Sequence, residues 1–175
     1  MLFVLFSCHN QEDLFKNAFT IPYAADIHID GNTNDWKDQG LVIPLISDTW
    51  GNIDQNNFSG TLTLAWNETW LYILAEIADD VLFQDNSGPV WRNDALELFF
   101  SQQKVDKNII QYLIAPAITE AFPEAKIEKI HHGRGGPTQS DAGIVIASKH
   151  SPNGYTAEMG IAFSAIGITA AEGVS

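Results

Sequence analysis

Two runs of alternating residues joined by three polar ones set the fold class of this chain. Thr61-Leu62-Thr63-Leu64-Ala65-Trp66 alternates, Asn67-Glu68-Thr69 turns the backbone, and Trp70-Leu71-Tyr72-Ile73-Leu74-Ala75-Glu76-Ile77 returns. Pattern and loop length are those of a β-hairpin. Further strand-length runs follow at 95–100, 108–115, 143–148 and 155–163, with Pro116 stopping the second and Pro152-Asn153-Gly154 turning the chain between the last two. Upstream, 27–30 reads as a short strand closed by Gly31-Asn32-Thr33-Asn34, and Asp35 is placed to cap a short helical turn with Trp36 closing one end of the core. The stretch 41–46 reads as an edge strand or an irregular segment, because Pro44 lacks an N–H for a central ladder. Residues 118–130 fit either strand or helix, and Pro123 excludes one long helix there. Ser164-Ala165-Ile166-Gly167 looks like a single helical turn. No 3.6-residue period persists, so the expected class is all-β, an antiparallel, immunoglobulin-like β-sandwich. With 175 residues, 45 per cent of them apolar, the chain can build one such domain and little beyond it.

Charge narrows the partners. A formal net charge of −13 repels a phosphate backbone or an anionic membrane surface, so nucleic acid is excluded as a partner and neutral or cationic ligands fit. Calcium is compatible with so many carboxylates. The lone cysteine forbids an internal disulfide, and its place is informative: Met1-Leu2-Phe3-Val4-Leu5-Phe6-Ser7-Cys8 is an apolar run too short to span a bilayer, followed by polar residues. It resembles the end of a bacterial lipoprotein signal peptide, with Leu5 and Ser7 in the usual positions and Cys8 as the lipidated residue, although no Lys or Arg precedes the run. The expected organisation is a leader over 1–8, a polar linker over 9–20 and the sandwich over 21–175. Acyl chains on Cys8 would then anchor it to the membrane of a bacterial cell envelope.

The stretch with the most chemistry is Trp91-Arg92-Asn93-Asp94-Ala95-Leu96-Glu97-Leu98-Phe99-Phe100. From Ala95 onward alternation puts Leu96, Leu98 and Phe100 on one face and Ala95, Glu97 and Phe99 on the other. An acid between two leucines must find solvent, a basic partner, a metal or a ligand, because burying it unpaired is very costly. Trp91 follows Gly88-Pro89 at the mouth of this strand, where a large aromatic serves either as a binding platform or as a plug for the end of the sandwich.

The ordered set Ile29-Asp30-Gly31, Asp35-Trp36, Leu64-Ala65-Trp66-Asn67, Leu71-Tyr72-Ile73-Leu74-Ala75, Asp79-Asp80, the Trp91 stretch, Tyr155-Thr156-Ala157-Glu158-Met159 and Phe163-Ser164-Ala165-Ile166-Gly167 resembles the family 9 carbohydrate-binding modules. The resemblance covers about residues 25–173. It implies a β-sandwich that holds the end of an oligosaccharide or polysaccharide between two tryptophans, with polar side chains on the hydroxyls and calcium bracing the structure. Carried over by motif, Trp91 matches a stacking tryptophan, Glu97 a hydroxyl-binding carboxylate, and Asp94 is a further carbohydrate-binding candidate. Two departures accompany the match. Leu113 stands where the family has an arginine, and the second tryptophan falls beyond the short helical turn, which implies a sandwich lacking its last strand or strands. One missing wall lowers the expected affinity to the millimolar range, about 4 kcal/mol.

Three functions follow from these residues. The first is a surface-anchored, non-catalytic carbohydrate-binding module, working alone or as accessory domain of a glycoside hydrolase system. The second is a glycosidase using Glu97 with Asp94 or Glu158, which needs two facing carboxyl groups roughly 5–10 Å apart. The third is a haem-binding sandwich without sugar affinity, for which Met159 is the ligand candidate and its strand position instead suggests core packing. Asp79, Asp80 and Asp85 suit either a calcium site or a solvated loop, and His131-His132 lacks an obvious third metal ligand.

Overall fold

A computed structural model of the chain describes residues 2–3, 19–45, 58–101, 109–132, 138–139 and 142–170. Cys8, Trp50, Asn57 and residues 171–175 lie outside the described residues. The strands are β1 (Leu2–Phe3), β2 (Leu41–Pro44), β3 (Phe58–Trp66), β4 (Trp70–Asp79), β5 (Leu96–Phe100), β6 (Ile110–Ala115), β7 (Lys126–His131), β8 (Thr138–Gln139), β9 (Ile144–Ser151) and β10 (Gly154–Ala162), followed by the single helical turn α1 (Phe163–Ile166). They form two five-stranded sheets, ordered β1-β5-β6-β7-β8 and β2-β3-β4-β10-β9. Every pairing is antiparallel except that of β1 with β5.

The hairpin expected at 61–77 is β3–β4, with Thr61 opposite Glu76 and Trp66 opposite Leu71. Asn67 closes it, accepting through Oδ1 from the amides of Thr69 and Trp70, both at 2.9 Å. Pro44 sits on an edge strand, since among the described residues β2 ends its sheet and pairs with β3 alone. The ambiguous 118–130 stretch resolves into a turn closed by the Thr119–Phe122 bridge and then β7. At the β9–β10 turn Gly154 adopts φ +141°, and a Cβ there would collide with the Ile77 carbonyl, so only glycine fits.

Between the sheets lies the main core. Leu96, Tyr112 and Ile114 from one sheet meet Ile73, Ala157 and Met159 from the other, all buried. Met159 is fully enclosed there, as its strand position suggested.

A second apolar layer departs from the sequence expectation. Residues 27–30 do not form a strand, and Trp36 does not close an end of the main core. Instead residues 19–40 lie across the outer face of the β2-β3-β4-β10-β9 sheet, burying Ala24, Ile27 and Trp36 against Ala65, Tyr72 and Leu74. The reason is where the backbone amides go. His28 N donates to Asp35 Oδ2 at 2.7 Å, while Asp30 N and Gly31 N donate to Glu158 Oε2 at 3.2 and 2.5 Å. Amides committed to side chains cannot pair with a neighbouring strand. Trp36 Nε1 donates to the other oxygen of Glu158 at 2.8 Å, so one fully buried carboxylate ties down both motifs. The cap of the 3₁₀ turn Thr33–Trp36 is Asn32, not Asp35, because Asn32 Oδ1 accepts from the Asn34 amide.

Candidate functional site

The register of the other sheet sets which side chains share its outer face. Glu97 pairs with Leu113, Leu113 with Glu128, Phe99 with Gln111, and Gln111 with Ile130. Directly opposed residues point to the same side. Leu96, Tyr112 and Ile114 point inward, so Glu97, Phe99, Gln111 and Leu113 face outward.

One end of this face is roofed by a 3₁₀ turn, Val90–Arg92. Val90 is buried in a small cluster with Ala95, Leu113, Ala115 and Phe122. That contact seats the turn over Leu113, the cross-strand neighbour of Glu97. Trp91, the middle residue of this turn, is 47 per cent exposed, with the Arg92 guanidinium 5.2 Å from its ring centroid. Asn93 fixes the turn from beneath. Its side chain is buried, donates to the Pro89 and Val90 carbonyls at 3.3 Å, and accepts from the Asp85 amide at 2.6 Å. Nothing in the alternation pattern singled out Asn93, since it precedes the strand.

Glu97 is not on a solvated face. Only 5 per cent of it is exposed, and Gln111 Nε2 donates to its Oε2 at 3.4 Å. Burial raises its pKa above the usual carboxylate value, a shift that Gln111 partly opposes. Leu113 lies directly opposite it and contributes only apolar surface.

Gln111 does not stand out in the sequence, because the apolar side chains that mark its strand, Ile110, Tyr112 and Ile114, lie on the other face. The same alternation gives Gln111 and Leu113 the outer face. Gln111 Oε1 in turn lies 2.8 Å from His132 Nε2, and the His132 ring stacks on Phe99 at 6.4 Å between centroids and 29° between planes.

Asp94 does not join this group. Its Oδ2 accepts from the Phe83 amide at 2.6 Å, and its own amide donates back to the Phe83 carbonyl at 2.9 Å. The carboxylate thus locks the 79–94 loop, where burial, with Asp79 nearby, raises its pKa; burial first, and then the Asp94 charge, raises that of Tyr155. Glu158 is farther still, sealed under Trp36 on the outer face of the opposite sheet. With sheets about 10 Å apart and the two glutamates on opposite outer sides, they cannot face one another across a substrate.

The acids of the loop are likewise engaged locally, Asp79 with the Val81 amide and Asp85 with the amide and hydroxyl of Ser87. Among the described residues no three His, Cys, Asp or Glu side chains converge as metal ligands.

Comparison with known proteins agrees with this architecture. The model of the family described as carbohydrate family 9 binding domain-like matches residues 29–175. Endo-1,4-beta-xylanase A of Thermotoga maritima is 38% identical over 52 residues, 30% of this chain and 5% of that enzyme. The enzyme of the same name from Thermotoga neapolitana is 34% identical over 74 residues, 42% of this chain and 7% of that enzyme. The chain therefore corresponds to a small part of either xylanase. Among solved structures, a family 9 carbohydrate-binding module from Caldicellulosiruptor kristjanssonii in complex with cellotriose superposes with TM-score 0.60 at 22% identity, covering 88% of this chain and 70% of that one. A family 9 carbohydrate-binding module from the same organism in complex with glucose gives 0.56 at 22% identity, covering 88% and 71%. A putative carbohydrate-binding protein from Bacteroides uniformis gives 0.57 at 12% identity, covering 86% and 74%. Likeness at these identities speaks to the fold.

Proposed function

The chain belongs to the carbohydrate family 9 binding domain-like family, and from that premise we propose that it is a non-catalytic module which stacks a sugar ring on Trp91 and accepts hydrogen bonds from its hydroxyls at Glu97. The observation that carries this reading is the 3₁₀ turn whose Val90 is buried in one cluster with Leu113, the cross-strand neighbour of Glu97, while the Trp91 ring of the same turn is 47 per cent exposed. An indole face suits the C–H face of a pyranose, and a carboxylate accepts from two neighbouring hydroxyls. Sugar complexes of a structurally similar module and the short matches within xylanases support the same class of ligand and an accessory role beside a glycoside hydrolase. Anchoring through Cys8 to a bacterial envelope belongs to this proposal, as does a bracing calcium ion whose ligands lie beyond the groups described above.

Calorimetric titration of glucose and cellotriose into the wild type and Trp91→Ala tests it. Wild type should bind at about the millimolar level, about 4 kcal/mol, and Trp91→Ala should bind at least tenfold more weakly. Its stability should change by less than about 1 kcal/mol, since an exposed ring contributes little beyond its contact with Arg92. Equal affinity in the two proteins would overturn the assignment.

A further inference from the structure

Trp91 sits in a turn too short to hold its own shape. Val90–Arg92 is a single 3₁₀ turn closed by two backbone bonds of 3.1 Å, Arg92 N to the Pro89 carbonyl and Asn93 N to the Val90 carbonyl, and no side chain caps its start. One such turn is not stable alone, because few hydrogen bonds of modest geometry offset the ordering of its backbone. The Arg92 guanidinium over the indole belongs to the same turn, so that contact does not tie the ring to the rest of the molecule.

Two residues of the turn's own length do so. Val90 is buried in its apolar cluster and fixes the depth of the turn, but apolar contact is non-directional and leaves the turn free to pivot about it. Asn93 supplies the direction. Its carboxamide is 3 per cent exposed and engaged at both ends: Nδ2 donates to the Pro89 and Val90 carbonyls within the turn, both at 3.3 Å, and Oδ1 accepts from the Asp85 amide across the loop at 2.6 Å. The far side of that link is itself anchored. Asp85 Oδ1 accepts from the Ser87 amide and hydroxyl at 2.9 and 2.7 Å, and Lys126 Nζ, from the first residue of β7, donates to the Asn86 carbonyl at 2.6 Å. A single side chain thus closes the loop 85–93 on itself. Only a carboxamide both donates and accepts in this way, since a carboxylate has no donor when ionised and an alkyl group has neither.

We propose that Asn93 is a positioning residue for sugar binding: without touching the ligand, it sets the orientation of the Trp91 indole and, through it, the affinity. The inference rests on the sugar-binding reading above and adds to it the residue that preorganises the platform. A platform fixed before the ligand arrives loses no binding energy to the ordering of a loop. The effect of Asn93 therefore falls on affinity, and its cause is visible in the free protein.

Wild type, Asn93→Ala, Asn93→Asp and Glu158→Ala, labelled with 5-fluorotryptophan and kept below their melting transitions, are compared by fluorine spectra without ligand and by titration with cellotriose. The Trp91 line, assigned with Trp91→Phe, should move or broaden in Asn93→Ala while the lines of Trp36, Trp66 and Trp70 stay in place, and affinity should fall at least fivefold. Glu158→Ala, which loses a buried anchor on the opposite sheet, should keep its affinity within twofold, which separates positioning from a general loss of stability. In Asn93→Asp an ionised carboxylate would repel the Pro89 and Val90 carbonyls, whereas burial favours the protonated form, whose hydroxyl can donate to one of them. The affinity of this variant, divided by that of wild type, should therefore recover at least threefold between about pH 7.5 and about pH 5. The division removes the titration of Asp85, Asp94 and Glu97, which the two proteins share. An unmoved Trp91 line with wild-type affinity in Asn93→Ala overturns the proposal and leaves the sugar-binding reading standing, and so does an equal loss of affinity in Asn93→Ala and Glu158→Ala. If the wild type binds no cellotriose, the sugar-binding reading itself fails and takes the proposal with it.

Discussion

A carboxylate that is nearly enclosed and has leucine where a cation would sit is held at an energetic disadvantage. Burial raises the pKa of Glu97 above its ordinary value near 4.5. The folded protein therefore holds this proton at pH values where the unfolded chain has lost it. Stability contributed by this group is highest at low pH, falls as pH rises through the window between the unfolded and folded pKa, and stays reduced above it. Glu97→Gln removes the charge and keeps an amide able to meet Gln111, so at pH 7 this variant should melt at the same temperature as wild type or higher. Its affinity for cellotriose should drop tenfold or more, the loss of a charge-assisted hydrogen bond of about 1.5–3 kcal/mol. In the wild type, binding should weaken on acidification at a higher pH than an ordinary glutamate would titrate. Thermal melts and titrations across a pH series would show both effects, and a lower melting temperature for Glu97→Gln would contradict the burial argument. The place of Glu97 on an outward face was legible from Leu96 and Leu98 flanking it. Its enclosure was not, because that depends on residues of neighbouring strands, Leu113 opposite it and Gln111 on its carboxylate, with β1 pairing along the other side of its strand.

At the scale of elements, the segment 19–40 is fastened at two places. Residues 21–24 are held by hydrogen bonds to Trp66 and Glu68, and the part from Asp30 to Trp36 by Glu158, which accepts from Trp36 Nε1 and from the amides of Asp30 and Gly31. Glu158→Ala leaves three donors facing an empty space, a cost of about 3 kcal/mol or more. The expected result is a melting point lower by about 6–12 °C, with faster hydrogen exchange at residues 27–36 than in the strands of the main core. Uniform acceleration across both sheets would show that the segment does not open separately. Elements whose partners are near in sequence were readable in advance, such as β3 and β4 with the Asn67 turn between them. The misread stretch at 27–30 finds its partner at residue 158, more than a hundred positions away, and no local window contains that information.

For the whole molecule, the decisive fact is that the two glutamates occupy opposite outer faces of the sandwich. The class was readable throughout, because alternation, turn residues and proline positions agree on short antiparallel strands. The grouping of the site was readable only in part: Glu97 has its place on an outward strand face and Trp91 is a half-exposed ring in the turn before that strand, while Asp94 belongs to the loop lock with Phe83. Separation by more than the sheet spacing of about 10 Å makes Glu97 and Glu158 energetically independent. Stabilities of Glu97→Gln, Glu158→Gln and the double variant should add to within about 0.5 kcal/mol, and a larger coupling in chemical denaturation would reveal a path through the core. The two sides of the body answer to different demands. Ligand taste can drift on one surface, residue by residue, without eroding the foundations laid on the other.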